Sequence, residues 1–235
     1  NGEAIQTRRL SKRELSKKMG LTNFEGEVYR ALDALIEDNK QLIKDVKLGV
    51  SKNSAGYALA DVKHKDGSFD LTPLMVGSQG TLGIVTEAAI KTAPYNPDTT
   101  LICALFDDLS VAEQVLAEVR NLPEQASAME LVDEHLLNYL DKHNPNQLKG
   151  IVEKPFKKLV VLIEFDNQNT RLQKKMAKRV TKLLDKQQIP YQIETDEEEK
   201  DKLWSIRHSA AAVIAHSEGN VKALPIIEDG IVPED

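Results

Sequence analysis

Cysteine is nearly absent: the 235 residues hold one, Cys103. A single thiol excludes a disulfide framework and any cysteine-held zinc or iron–sulfur centre within this chain. Aromatic residues amount to 5%, too few for the stacked platform that grips single-stranded nucleic acid. Basic charge is in deficit, with 31 Lys and Arg against 37 Asp and Glu and a formal net charge of −6. Binding through phosphate neutralisation needs the opposite balance, so no nucleic-acid partner is expected. Apolar runs are short. Charge-free patches such as Ser209 to Ala215 fall well below the roughly 20 residues of a membrane-spanning helix, so no transmembrane segment is expected. Neither a signal peptide nor an initiator methionine is visible. The start at Asn1-Gly2 and the end at Val232-Pro233-Glu234-Asp235 predict a piece of a longer chain. What remains is 41% hydrophobic and 29% charged, ordinary for a globular chain able to bury a core.

A turn-rich stretch, Pro94-Tyr95-Asn96-Pro97-Asp98, divides the sequence into residues 1–96 and 97–235. In the first region, residues 1–9 read as one arm of a hairpin with Asn-Gly at its turn. Ser11-Lys12-Arg13-Glu14 has the S-x-x-E form of a capping box and predicts a short helix. Phe24, Val28, Leu32, Leu35, Ile36, Leu42, Ile43 and Val46 recur at helical spacing, predicting one or two amphipathic helices capped by Thr22 or Asn23. Residues 84–90 read as a strand. In the second region strands are predicted over 101–106, 128–132, 159–165 and 191–194. Helices are predicted near 111–119, 134–140, 172–184 and 197–214. This alternation predicts an α+β unit resembling a ferredoxin-like arrangement, with helices on one face of a sheet. A doubly wound parallel sheet is the competing topology.

The local feature richest in information is Gly77-Ser78-Gln79-Gly80-Thr81-Leu82-Gly83. Its glycine spacing differs from the dinucleotide fingerprint, and a predicted strand follows where that fingerprint needs a helix. No Gly-Lys-Ser/Thr follows, which excludes a phosphate-binding P-loop. Three glycines allow close approach of backbone to a ligand or to another strand; the plainer alternative is a tight turn feeding a buried strand.

The surrounding residues weigh against the plainer alternative. Lys52-Asn53-Ser54-Ala55-Gly56-Tyr57-Ala58-Leu59 comes first, then Leu74-Met75-Val76 leads into the glycine segment and on through Ile84-Val85-Thr86-Glu87-Ala88. Leu203-Trp204-Ser205-Ile206-Arg207 and Pro225-Ile226-Ile227-Glu228-Asp229-Gly230-Ile231-Val232-Pro233 follow in order. Together these resemble the signature of FAD-linked 2-hydroxyacid oxidases and dehydrogenases, which carry the flavin fold of the vanillyl-alcohol-oxidase or PCMH type. The most similar members are the long bacterial ones of the D-2-hydroxyglutarate and D-lactate dehydrogenase kind, which join the flavin part to an iron–sulfur part.

The resemblance implies that residues 1–96 are the C-terminal part of a PCMH-type FAD-binding domain. Residues 97–235 would be a ferredoxin-like α+β substrate (cap) domain, truncated at its C-terminus. It implies a flavin wall made of Asn53, Gly56, Ser78, Gln79, Gly80, Thr81, Gly83, Ile84 and Val85. Gln79 stands where the family usually has glutamate; an amide keeps the size and an acceptor but loses the charge. Arg207 and Lys222 are the implied substrate contacts, since a guanidinium can clamp a hydroxyacid carboxylate. A surface arginine paired with an acid among residues 197–201 is the alternative for Arg207.

The parent would oxidise a D-2-hydroxyacid to the 2-oxoacid by hydride transfer to FAD and pass electrons to a downstream acceptor. No catalytic residue is expected in this chain, because the family's paired histidines would begin after Asp235. His64, His135, His143, His208 and His216 are isolated, without metal-ligand spacing. Iron–sulfur centres would belong only to missing parent segments. The chain alone, with an incomplete FAD site and without the rest of the parent, is expected to be inactive. A cytoplasmic location is implied, with peripheral attachment to the inner membrane face left open. From another class comes the alternative of a non-catalytic ligand-binding or assembly module on a ferredoxin-like sheet.

Overall fold

A computed structural model describes residues 2–209 of the chain, apart from positions 48, 51, 52, 54 and 55. The described residues form two compact units, one running to Ile90 and one starting at Lys91.

In the first unit, α1 (Lys12–Met19) opens with the predicted capping box. Glu14 N–H donates to Ser11 Oγ at 3.4 Å, and Ser11 N–H donates back to Glu14 Oε2 at 2.8 Å. Asn23 caps α2 (Phe24–Asp38) by accepting from Gly26 N–H at 3.1 Å. Glycine is required at that position, because a Cβ on Gly26 would stand 2.2 Å from the Leu21 carbonyl oxygen. A short α3 (Lys40–Asp45) and the single turn α4 (Thr72–Met75) are the other α-helices among the described residues of this unit. Its core gathers Leu10, Leu15, Tyr29, Ile36, Val62, Phe69, Leu71 and Leu74.

Two expectations fail in this unit. Residues 2–9 form no hairpin arm; the first sheet-like contact is the Leu10–Phe69 bridge. The segment offers only Ala4 and Ile5 as apolar residues, too little to hold a strand in place by burial. Residues 84–90 form no strand either, with Ile84 91% and Ile90 84% exposed. A strand is held by its partner's hydrogen bonds, and no described residue pairs with this segment.

The second unit runs β1 (Thr100–Phe106), α5 (Leu109–Arg120), β2 (Ala128–Asp133), α6 (Glu134–His143), β3 (Leu159–Phe165), α7 (Thr170–Lys186), β4 (Tyr191–Glu194) and α8 (Glu197–His208). The sheet order is β2-β3-β1-β4, and every neighbouring pair is antiparallel. The doubly wound parallel alternative is thereby excluded. Strand–helix–strand twice over, with each crossover spanning one strand, is the ferredoxin-like arrangement; α6 and α8 are additions to it.

Helices cover both faces of the sheet, where one covered face was expected. Ile102, Ala104, Phe106, Val161, Ile163 and Phe165 pack against α5 and α7. Leu101, Cys103, Val160, Leu162 and Val132 pack against α6 and α8. The continuous apolar runs of β1 and β3 account for this, since a strand buried on both sides does not alternate. At the sheet end the buried Gln173 donates from Nε2 to the Asp98 and Asn167 carbonyls, both at 2.6 Å, so its amide is satisfied without water.

Candidate functional site

The glycine segment closes as two consecutive turns. Ser78 N–H donates to Met75 O at 3.3 Å; Val76 between them lies at φ −70°, ψ 121° and Gly77 at φ 77°. This is type II geometry, which needs a left-handed residue where Gly77 sits. Thr81 N–H then donates to Ser78 O at 3.0 Å across Gln79 (φ 49°) and Gly80 (φ 79°), both left-handed as in a type I′ turn.

Ser78 is buried, and its Oγ donates to Met75 O at 2.9 Å. Thr81 Oγ1 donates to Ser78 O at 2.6 Å and lies 2.8 Å from the Tyr57 hydroxyl. Because the Thr81 proton is committed to Ser78, Tyr57 is the donor in the second bond. Residues 57 and 81, from two separate motifs, are thus joined. None of these bonds uses the side chain of Gln79, so the loop closes without the charge of the usual glutamate.

Of the expected flavin wall, Ser78 is buried, whereas Asn53, Gly56, Gln79, Gly80, Thr81, Gly83, Ile84 and Val85 are exposed. A Cβ built on Gly56, Gly80 or Gly83 would meet nothing within 4 Å. These glycines border open space, and their backbone is free to meet a flat ring or a phosphate. The residues present fit a backbone-lined flavin wall in that respect.

The other expected element is α8. Asp196 caps it, accepting from Glu199 N–H at 3.2 Å, and Glu197, Glu198 and Glu199 fill its first turn. Negative charge there complements the helix dipole. Leu203 and Ile206 are buried under the sheet. Lys200, 6% exposed, donates from Nζ to Thr99 Oγ1 at 2.7 Å and to Pro97 O at 3.2 Å. Trp204 Nε1 donates to Glu164 Oε1 on β3 at 3.3 Å.

Arg207, in the last turn, donates from Nε to Glu130 Oε2 on β2 at 2.7 Å. The expected alternative partner for Arg207, an acid among residues 197–201, is not the one it uses. Lys222 and the 225–233 motif lie outside the described residues. His208 is exposed and stacks on Trp204 with ring centres 6.1 Å apart.

A family model for the C-terminal domain of FAD-linked oxidases matches residues 96–235. The chain belongs to the FAD-linked oxidase family. Over 233 residues it is 27% identical to a D-2-hydroxyglutarate dehydrogenase of Pantoea ananatis, covering 90% of this chain and 22% of that protein. A glycolate oxidase subunit GlcD of Bacillus subtilis is 27% identical over 210 residues, 84% of this chain and 43% of the relative. A mitochondrial D-lactate dehydrogenase [cytochrome] of Kluyveromyces lactis is 28% identical over 160 residues, 68% of this chain and 25% of the relative. The chain therefore spans less than half the length of each of these relatives.

For this FAD-linked oxidase chain, the sequence singles out Arg207 but not the acid it pairs with, Glu130. Nothing local marks Glu130: the two residues are 77 positions apart. The hint available is an acid in the middle of β2, flanked by the apolar Met129 and Leu131. Lys200 lies among the acids of the α8 start, yet its side chain turns inward to Thr99 and Pro97.

Proposed function

We propose that this chain is part of an FAD-dependent dehydrogenase that oxidises a D-2-hydroxyacid of the 2-hydroxyglutarate or lactate type to the 2-oxoacid. Residues 1–96 form the later part of its flavin-binding domain, and residues 97–235 form most of its substrate domain. The observation that carries the reading is Arg207, placed at the end of a helix docked on the sheet within the matched domain. Its Nε is bonded, while its two terminal amino groups have no partner among the described residues. Such a group holds a carboxylate through two parallel bonds and so fixes the substrate's C2 relative to the clamp.

Lys222 is the second cation assigned to substrate. The exposed backbone from Ser78 to Val85, with Asn53 and Gly56, is assigned to the flavin. When bound, FAD supplies the two-electron acceptor for the C2 hydride. No residue of this chain is assigned as the base for the hydroxyl proton, and electrons leave to an acceptor outside the chain. Membership of an oxidase family favours the enzyme over an assembly module.

In the full-length protein, Arg207→Ala is expected to raise KM for the hydroxyacid at least about tenfold, or to abolish turnover, while flavin content stays unchanged. Steady-state kinetics alongside the flavin absorbance of the purified variant check this. Unaltered kinetics would remove Arg207 from the substrate site.

A further inference from the structure

The Arg207–Glu130 pair is the one ionic contact that ties the substrate helix to the sheet edge, among the described residues. Glu130 sits in β2, the edge strand, opposite Leu162 of β3. Both side chains are partly open, 41% for Arg207 and 37% for Glu130. An ion pair so exposed adds little to fold stability, so packing alone gives no strong reason for an acid at this position.

The geometry points to Glu130 as a positioning residue for substrate binding; this rests on the assignment of Arg207 to the substrate carboxylate. A guanidinium offers five N–H donors in a rigid plane. Glu130 takes the Nε–H, at 2.7 Å. That bond stops rotation of the guanidinium about the end of its stem and leaves the edge formed by Nη1 and Nη2 unpaired among the described residues. This outer edge matches the two oxygens of a carboxylate. Without Glu130, the planar group samples several orientations, and only some of them present that edge. Ordering it then costs affinity at the moment of binding. Trp204 and Lys200 fix the helix; Glu130 fixes the functional group at its end.

The test uses the full-length, flavin-loaded protein. Glu130→Ala is expected to raise KM for the 2-hydroxyacid about threefold to tenfold with kcat held within about twofold, the pattern of lost ground-state orientation. Glu130→Gln is expected to stay within about twofold of the parent in KM, because its amide oxygen still accepts from Nε–H. Where Glu130→Ala fails to fold, Glu130→Met keeps the length without an acceptor and takes its place.

In an Arg207→Ala background, Glu130→Ala is expected to change kcat/KM by less than about twofold, since the group it positions is gone. An unchanged KM in Glu130→Ala overturns the proposal, as does a Glu130→Gln variant as impaired as Glu130→Ala. Full multiplication of the two single effects in the double variant overturns it too, and leaves the role of Arg207 intact. An Arg207→Ala protein with normal kcat/KM instead sinks the substrate assignment itself. A purely structural pair would lower the melting temperature without this split between KM and kcat.

Discussion

Tyr29 carries a cost that a single atom accounts for. It is 0% exposed, and its ring packs against Phe69 with centroids 5.9 Å apart. Its hydroxyl has no hydrogen-bond partner among the described residues. Burial, with Glu25 and Asp70 nearby, pushes its pKa above the ordinary value, so the neutral form is kept to higher pH. Leaving a buried hydroxyl unpaired costs about 1–3 kcal/mol. Tyr29→Phe keeps the ring and its contacts, and it is expected to stabilise the protein by about 1 kcal/mol. Chemical denaturation of the two proteins at pH 7 measures the difference; a loss of stability would mean that the hydroxyl has a partner after all. The left-handed residue Gln79 is a second local cost, since a non-glycine there forfeits roughly 1–2 kcal/mol. Its identity could be read from the sequence. Its backbone angle could not, because only the turn closed by Ser78 and Thr81 imposes it.

At the scale of elements, α1 depends on its capping box. Glu14 accepts from the Ser11 hydroxyl, the Ser11 N–H and Arg8, and these bonds lower its pKa from 4.5 to about 2. Asp66, accepting from the Ser68 hydroxyl and N–H with Arg9 nearby, falls from 3.8 to about 2. A carboxylate with a depressed folded pKa stabilises the fold above its unfolded pKa and loses that contribution as pH falls through the folded one. The melting temperature is therefore expected to decline as pH drops from about 4.5 to about 2. Ser11→Ala should cost about 1 kcal/mol at neutral pH and flatten the acid side of the profile, because Glu14 then titrates nearer its ordinary value. Circular-dichroism melts across this range test the pair; identical acid limbs would show that the box does not link α1 to pH.

The box was legible because all its parts lie within four residues. The strands of the ferredoxin-like sheet were legible for a related reason, being short apolar runs bounded by turn residues. Which faces they bury was readable in principle from the unbroken apolar character of β1 and β3, but helix count alone suggested one face. Residues 84–90 have equally strand-like composition and are not a strand, because composition says nothing about whether a partner is present.

On the scale of the whole molecule, that unpaired segment and the open glycines belong together. Leu82 (50% exposed), Ile84, Val85 and Ile90 stand in solvent directly after the turns assigned to the flavin. An apolar stretch left in water gains by burial, about 25 cal/mol per Å² of apolar surface covered. The relatives contain far more chain than this one spans: it covers 22% of the Pantoea ananatis protein. We propose that most of the flavin cradle comes from the parts of the parent protein that this chain does not span. A site with one wall loses most of its grip, because a cofactor must be buried on several sides to offset the entropy of binding. The chain by itself is therefore expected to retain far less than stoichiometric FAD after incubation and desalting. It should also show no hydroxyacid-dependent bleaching of the flavin spectrum. Visible absorption of the purified chain, before and after incubation with FAD, decides the matter. A yellow protein holding stoichiometric flavin through desalting would mean that the wall from Asn53 to Val85 closes around the cofactor unaided, and the incomplete-site reading would have to be given up.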